Sequence, residues 1–245
     1  AEHGCSRLSP HIAHGSLSLR HIAQITLQAR ESAPRTHWHR QLHSYVTRLW
    51  WHCYALQVLE NQPEMERQAL VPEMEQLSRP MDTARFDAWR LGRTGWPMVD
   101  ACMRFLHHHG WLNFRMRAML VTTATHTLSL PWRPVADWLS QMFVDFEPGI
   151  HYTQIQMHSC MAASPVLRLY NPVTQARELD PQGEFVRRWV PELAAVSDEW
   201  IVMPWAMPST LRDRFGLVGA RDYPAPLVDF EQVHRSVKAE IAALR

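Results

Sequence analysis

The sequence predicts an all-α fold, a single multi-helix domain over residues 1–245, and three observations carry that prediction. Apolar residues recur at the i, i+3, i+4, i+7 spacing of a helix face in segment after segment. Stretches of alternating polar and apolar residues, which mark half-buried strands, are scarce. At 245 residues and 46% apolar content, the chain is also long enough to bury a substantial core.

The elements follow in order. Leu42, Tyr45, Val46, Leu49, Cys53 and Leu56 repeat at helical spacing and predict a helix that ends before Pro63. Pro63, Pro72 and Pro80 then punctuate a stretch that reads as a long irregular connection. A Thr94-Gly95-Trp96-Pro97 turn leads into a helix over 97–109, with Val99, Cys102, Met103 and Leu106 on its apolar face and Gly110 as its C-terminal stop. Helices are predicted over 114–129 and 134–144. The pattern loosens over 147–172, where Pro148, Gly149, Pro165 and Pro172 suggest a functional loop region. A short helix over 185–193 and a terminal one over 230–244 complete the chain, with no internal repeat.

Composition narrows the functions. Net charge is only +1, so a nucleic-acid site has to be a local patch of arginines rather than a global field. Lys238 is the only lysine, and guanidinium groups suit bidentate phosphate contacts better than ammonium groups do. Cys5, Cys53, Cys102 and Cys160 are widely spaced without a C-x-x-C, which argues against a disulfide framework, a zinc site or an iron–sulfur cluster. His107, His108 and His109 are adjacent on a helix, point in different directions and cannot all chelate one ion, so no metal is predicted. With no membrane-length apolar run and no signal peptide, a cytoplasmic location is expected.

The wording of the 86–111 segment, FDAWRLGRTGWPMVDACMRFLHHHGW, resembles the flavin-binding domain of the photolyase/cryptochrome family. The likeness extends to Arg168-Leu169-Tyr170-Asn171-Pro172, to Asp180-Pro181-Gln182-Gly183-Glu184-Phe185 and to Arg187-Arg188-Trp189-Val190-Pro191-Glu192-Leu193. It implies a helical FAD-binding domain. The chain resembles the short photolyase-like proteins that lack the family's N-terminal α/β antenna domain.

The resemblance assigns residues. Gly4-Cys5-Ser6-Arg7-Leu8-Ser9-Pro10 looks like the family's phosphate loop, in which Ser6, the Leu8 backbone and Ser9 would hold the FAD pyrophosphate. Cys5 stands where threonine is common. Arg115 and Arg117 in LNFRMRAML, and Asp145 and Glu147 in MFVDFEP, would flank the isoalloxazine, with Arg117 pairing Asp145 and its charge favouring reduced flavin. Tyr45 and His52 occupy further flavin positions, where tryptophan and arginine are usual. His151 falls where asparagine usually faces flavin N5, which implies pH-dependent flavin chemistry.

For photoreduction, Trp89 and Trp132 match the outer two of three tryptophans, while Ile155 takes the innermost position; Tyr152, Trp50 and Trp138 are candidate substitutes. In the lesion pocket Trp51 matches the residue that stacks on a flipped pyrimidine dimer. Arg48 replaces a glutamate, Phe114 an asparagine and Met157 a second tryptophan, and Arg168 could approach DNA phosphates. What the resemblance implies is a monomeric deoxyribodipyrimidine photolyase-like lyase. It would repair cyclobutane pyrimidine dimers in UV-damaged DNA, single-stranded by preference because base extrusion then costs least. The alternatives are a cryptochrome-like blue-light or redox signalling flavoprotein, or a helical scaffold that has lost photochemistry.

Overall fold

The computed structural model describes residues 5–33, 37–77, 79–162, 169–217 and 223–244, and among them every regular element is helical. In chain order the helices are α1 (Ser9–Ala13), α2 (Leu19–Ser32), α3 (His37–Asn61), α4 (Thr83–Arg90), α5 (Pro97–His109) and α6 (Phe114–Thr122). They continue as α7 (Trp132–Met142), α8 (Pro148–His158), α9 (Pro172–Leu179), α10 (Glu184–Trp189), α11 (Ser209–Arg214) and α12 (Phe230–Ala243). Two compact units are formed. The small one holds Ser6–Gln68 and Val144–Gln154; the large one holds Ala69–Phe143 and Ile155–Arg245, together with the first residues of the chain.

In the small unit α2 packs against α3, turning Ile22 and Thr26 of one helix and Val46, Leu49 and Ala55 of the other inward. The start of α8 closes on α3 at Gly149. A Cβ there would stand 3.0 Å from the Ala55 carbonyl oxygen and the Leu56 Cα, so a larger residue would push the two helices apart by a few tenths of an ångström.

The large unit is organised around α5, which packs against α4, α6, α9 and α10. Its entry turn is held by one carboxylate. Asp100, wholly buried, accepts from the Thr94 N–H (2.8 Å), the Thr94 hydroxyl (2.6 Å), the Gly95 N–H (3.1 Å) and the Tyr223 hydroxyl (2.6 Å). Burial pushes the Asp100 carboxyl up from its usual range, and these four donors pull against that shift. At the far end of α5 Gly110 adopts the left-handed conformation and its N–H caps Leu106, as the sequence suggests. Asp180 similarly accepts from the Phe185 and Val186 N–H groups at the start of α10.

Several expectations need correction. The helix expected over 114–129 is α-helical only to Thr122; Thr123–Thr127 widens into a π-helical turn closed by the Leu128 N–H on the Thr123 carbonyl. Threonine hydroxyls explain the local softness: Thr122 bonds back to the Ala118 carbonyl and Thr125 to that of Val121. The stretch read as a loop over 147–172 contains α8. Pro148 and Gly149 are there a helix start and a close helix contact rather than breakers. The connection read between Pro63 and Pro80 contains two 3-10 turns, Pro63–Glu66 and Pro72–Leu77. Helices α2 and α4 carry no expectation from periodicity, because both are rich in polar residues and bury few side chains.

Candidate functional site

Most residues assigned to flavin lie in the small unit: Ser6, Leu8, Ser9, Tyr45, His52, Asp145, Glu147 and His151. Arg7 is held at a φ of 55°, and its turn brings the Leu8 N–H to within 3.4 Å of the Ser6 hydroxyl just before Ser9 opens α1. Leu8 is the cap residue of α1, and no side chain caps that helix.

On α3, His52 is half-buried and its Nε2 lies 3.4 Å from Glu147 Oε2, one of the two acids expected beside the flavin. Tyr45, two turns earlier, is half-buried as well. The Glu147 carbonyl accepts the His151 N–H at 2.8 Å and so seats the first turn of α8. His151 is buried, and its ring lies against Phe146 and Tyr152 at centroid distances of 5.2 and 5.1 Å. Asp145 is half-buried immediately before α8.

Two residues escape sequence reasoning. Thr153 Oγ1 and Gln154 Oε1, on the turn of α8 that follows His151, are buried polar atoms without a hydrogen-bond partner in the protein. Such atoms are costly to leave unmet. The 147–172 stretch reads as loop, so no helical register was available to single them out.

Arg115 and Arg117 belong to the large unit. Arg115, expected from the resemblance beside the flavin, is exposed and forms an ion pair with Glu178 at 3.4 Å. Arg117 donates from Nε to the Leu112 carbonyl at 2.7 Å, and its guanidinium lies 4.0 Å from the Phe143 ring centroid.

Of the lesion-pocket residues, α3 carries Arg48 and Trp51, both exposed, with the Trp51 ring edge-on to Tyr54 at 5.5 Å. Phe114, exposed at the start of α6, and the half-buried Met157 lie in the large unit. Arg168 lies outside the described residues. Trp89, expected as an outer tryptophan, is 0% exposed, and its indole donates to the Leu120 carbonyl at 3.2 Å. Trp138, half-buried, meets Trp89 edge-on at 5.3 Å and is the more accessible of the two. Trp132 and Ile155 are both buried.

The same fold recurs in proteins of known kind. Residues 45–243 match the family model for the FAD binding domain of DNA photolyase. A deoxyribodipyrimidine photo-lyase of Alkalihalophilus pseudofirmus is 30% identical over 92% of this chain and 46% of its own length. Cryptochrome-2 of Arabidopsis thaliana is 31% identical over 98% of this chain and 40% of its own. The chain thus spans about half the length of the relatives it matches. Among solved structures, a class III photolyase from Agrobacterium tumefaciens superposes with a TM-score of 0.88 at 28% identity, covering 98% of this chain and 49% of that one. A Synechocystis cryptochrome gives 0.88 at 26%, covering 96% and 48%. Helical architecture, family model and relatives agree that this chain belongs to the photolyase/cryptochrome family and carries its FAD-binding domain.

Proposed function

We propose that residues 1–245 act as one FAD-binding domain that repairs cyclobutane pyrimidine dimers in UV-damaged DNA, single-stranded by preference, as a light-driven lyase. The observation that supports this best lies on α3. Arg48 and Trp51 project into solvent, while the next residue, His52, turns inward to Glu147. One rigid helix thereby presents a base-stacking group and a flavin-side group on adjacent residues.

FAD, when bound, supplies photoexcited one-electron transfer to the dimer. Ser6, the Leu8 backbone and Ser9 would take its pyrophosphate, and Tyr45, His52, Asp145 and Glu147 would line it. Arg115 and Arg117 would contribute positive charge, with Arg117 paired to Asp145. The unmet oxygens of Thr153 and Gln154 fit the same polar ligand. His151 is the residue assigned to hold a proton toward flavin N5, and Trp89 and Trp132 are assigned to electron relay. Trp51, Arg48, Phe114 and Met157 would grip the extruded dimer and exclude water, and Arg168 would meet a phosphate. The domain would work as a cytoplasmic monomer without a metal. No helix among the described residues is long and apolar enough to cross a membrane.

Blue light on reduced, flavin-loaded protein with single- and double-stranded oligonucleotides bearing one thymine dimer tests the reading. Light-dependent loss of the dimer, faster on the single strand, is the expected result. Asp145→Ala should purify largely without FAD, and Trp51→Ala should keep FAD but bind dimer-containing DNA more weakly. Arg48, Phe114 and Ile155, standing where the family's repair pattern has glutamate, asparagine and tryptophan, favour cryptochrome-like signalling as the second reading; flavin-loaded protein that leaves both substrates intact would point to signalling, or to another lesion.

A further inference from the structure

Charge along this chain is very uneven. Residues 5–59 hold six arginines and seven histidines against a single acid, Glu31, a net +5 with histidine neutral, although the whole chain sums to +1. Most of that run is α2 and α3 of the small unit. On α3 the residues Arg40, His43, Thr47, Trp50, Trp51 and Tyr54 follow a spacing of three, four and seven that gathers them on one helix face. All six are exposed, Trp50 at 70% and Tyr54 at 52%, while Val46, Leu49 and Ala55 fill the opposite face.

A large indole left in water beside a tyrosine, on a helix whose one carboxylate is Glu60 near its C-terminal end, is an aromatic platform in a cationic setting. Polyanions with π-faces, namely single-stranded nucleic acids, are the ligands whose chemistry matches both features. A protein partner would match the indoles alone, whereas the excess of arginine over acid across residues 5–59 favours a polyanion.

We propose that this face of α3 is a stacking platform for undamaged single-stranded DNA, with Trp50 and Tyr54 each taking the face of a base and Arg40 meeting a phosphate. The platform continues past Trp51, so the strand flanking a lesion is held by the same helix. The inference rests on the repair reading for the choice of DNA, but it requires neither lesion, light nor flavin.

Fluorescence anisotropy of a labelled undamaged thymidine oligomer, roughly 12 nucleotides long, tests it in the dark on the full chain. Trp50→Ala and Tyr54→Ala should each weaken binding on the order of tenfold, and Trp50→Phe should retain most of the affinity. Affinity should fall steeply with salt, and the matching duplex should bind more weakly. The platform is overturned if Trp50→Ala binds within about twofold of the parent, or if duplex binds as tightly as single strand. It is overturned in favour of self-association if Trp50→Ala dissolves a dimer in sedimentation while its DNA affinity is unchanged. Circular dichroism of Trp50→Ala confirms folding before any result is read. Intact dark binding without light-driven repair would sink the repair reading and leave the platform standing, and repair without a Trp50 effect would do the reverse.

Discussion

Trp89, Trp96 and Trp132 of the large unit are sealed from solvent, whereas α3 of the small unit leaves Trp38, Trp50 and Trp51 in water. The same side chain serves two ends. In the large unit the indoles fill volume, and Trp89 satisfies its N–H on the Leu120 carbonyl. In the small unit they cover little of the core, and they stand among arginines and histidines. Charge follows the same division: the buried carboxylate of Asp100 is enclosed by donors within the large unit, while α2 and α3 expose guanidinium groups. The large unit buries its indoles and the small unit exposes them, so substitutions in the two should have different effects.

The largest effect is expected at Trp89. Trp89→Ala removes a fully buried indole and its hydrogen bond, and should cost about 4 kcal/mol in urea unfolding. A cost under about 1 kcal/mol would break the contrast, because it would mean that the large unit is no better packed than the exposed face of α3.

Acid should find the same unit through His126. Its ring is buried against the π-helical turn, with Nε2 on the His158 carbonyl at 3.0 Å. Burial lowers its pKa from 6.5 to about 4, outweighing that hydrogen bond. The folded state therefore refuses a proton that the unfolded chain accepts. Stability falls as pH drops below 6.5 and levels off once pH passes about 4, a loss of about 3 kcal/mol across that window. His126→Gln should flatten urea midpoints over this range; a mutant that keeps the full slope would show that another group titrates.

How much of this was legible in the sequence depends on which forces act locally. The α5 helix, its Gly110 stop and the terminal α12 were readable because apolar spacing and cap chemistry are local signals. α8 was not legible: its Pro148-Gly149 start reads as a breaker until Ala55 and Leu56 are known to lie against the glycine. Thr153 and Gln154 were hidden with it. The Asp100–Tyr223 bond spans over a hundred residues, which no window can see. The aromatic face of α3 was readable as a spacing, but whether that face looked inward or out was decided by packing against α2. The resemblance gave Trp89 an outer relay position, and no local signal showed that Phe86 and Trp138 lie against its fully buried ring.

A smaller effect is expected at the surface of the large unit. Arg104 grips Glu192 through two bonds of 2.7 and 2.9 Å. Burial raises the Glu192 carboxyl, but the hydrogen bonds and charge of Arg104 prevail and hold it below 4.5. This contribution is present above pH 4.5 and is lost as pH falls through the lowered value. Glu192→Gln should cost on the order of 1 kcal/mol at neutral pH, since the pair is partly exposed and screened. The difference between mutant and parent should vanish in strong acid; a difference that persists there would assign the role to packing.

Trp50 should show the smallest effect on stability, and this is where the comparison is sharpest. A side chain 70% exposed leaves little contact to lose, so Trp50→Ala should change the unfolding free energy by less than about 0.5 kcal/mol. Trp50 contributes little to the core, so any effect of its removal on single-strand binding reads recognition rather than stability. If unfolding of Trp50→Ala proved as costly as that of Trp89→Ala, the indole would be part of the core and no platform would exist. Unchanged stability with weakened single-strand binding would instead put the work of this tryptophan entirely in recognition.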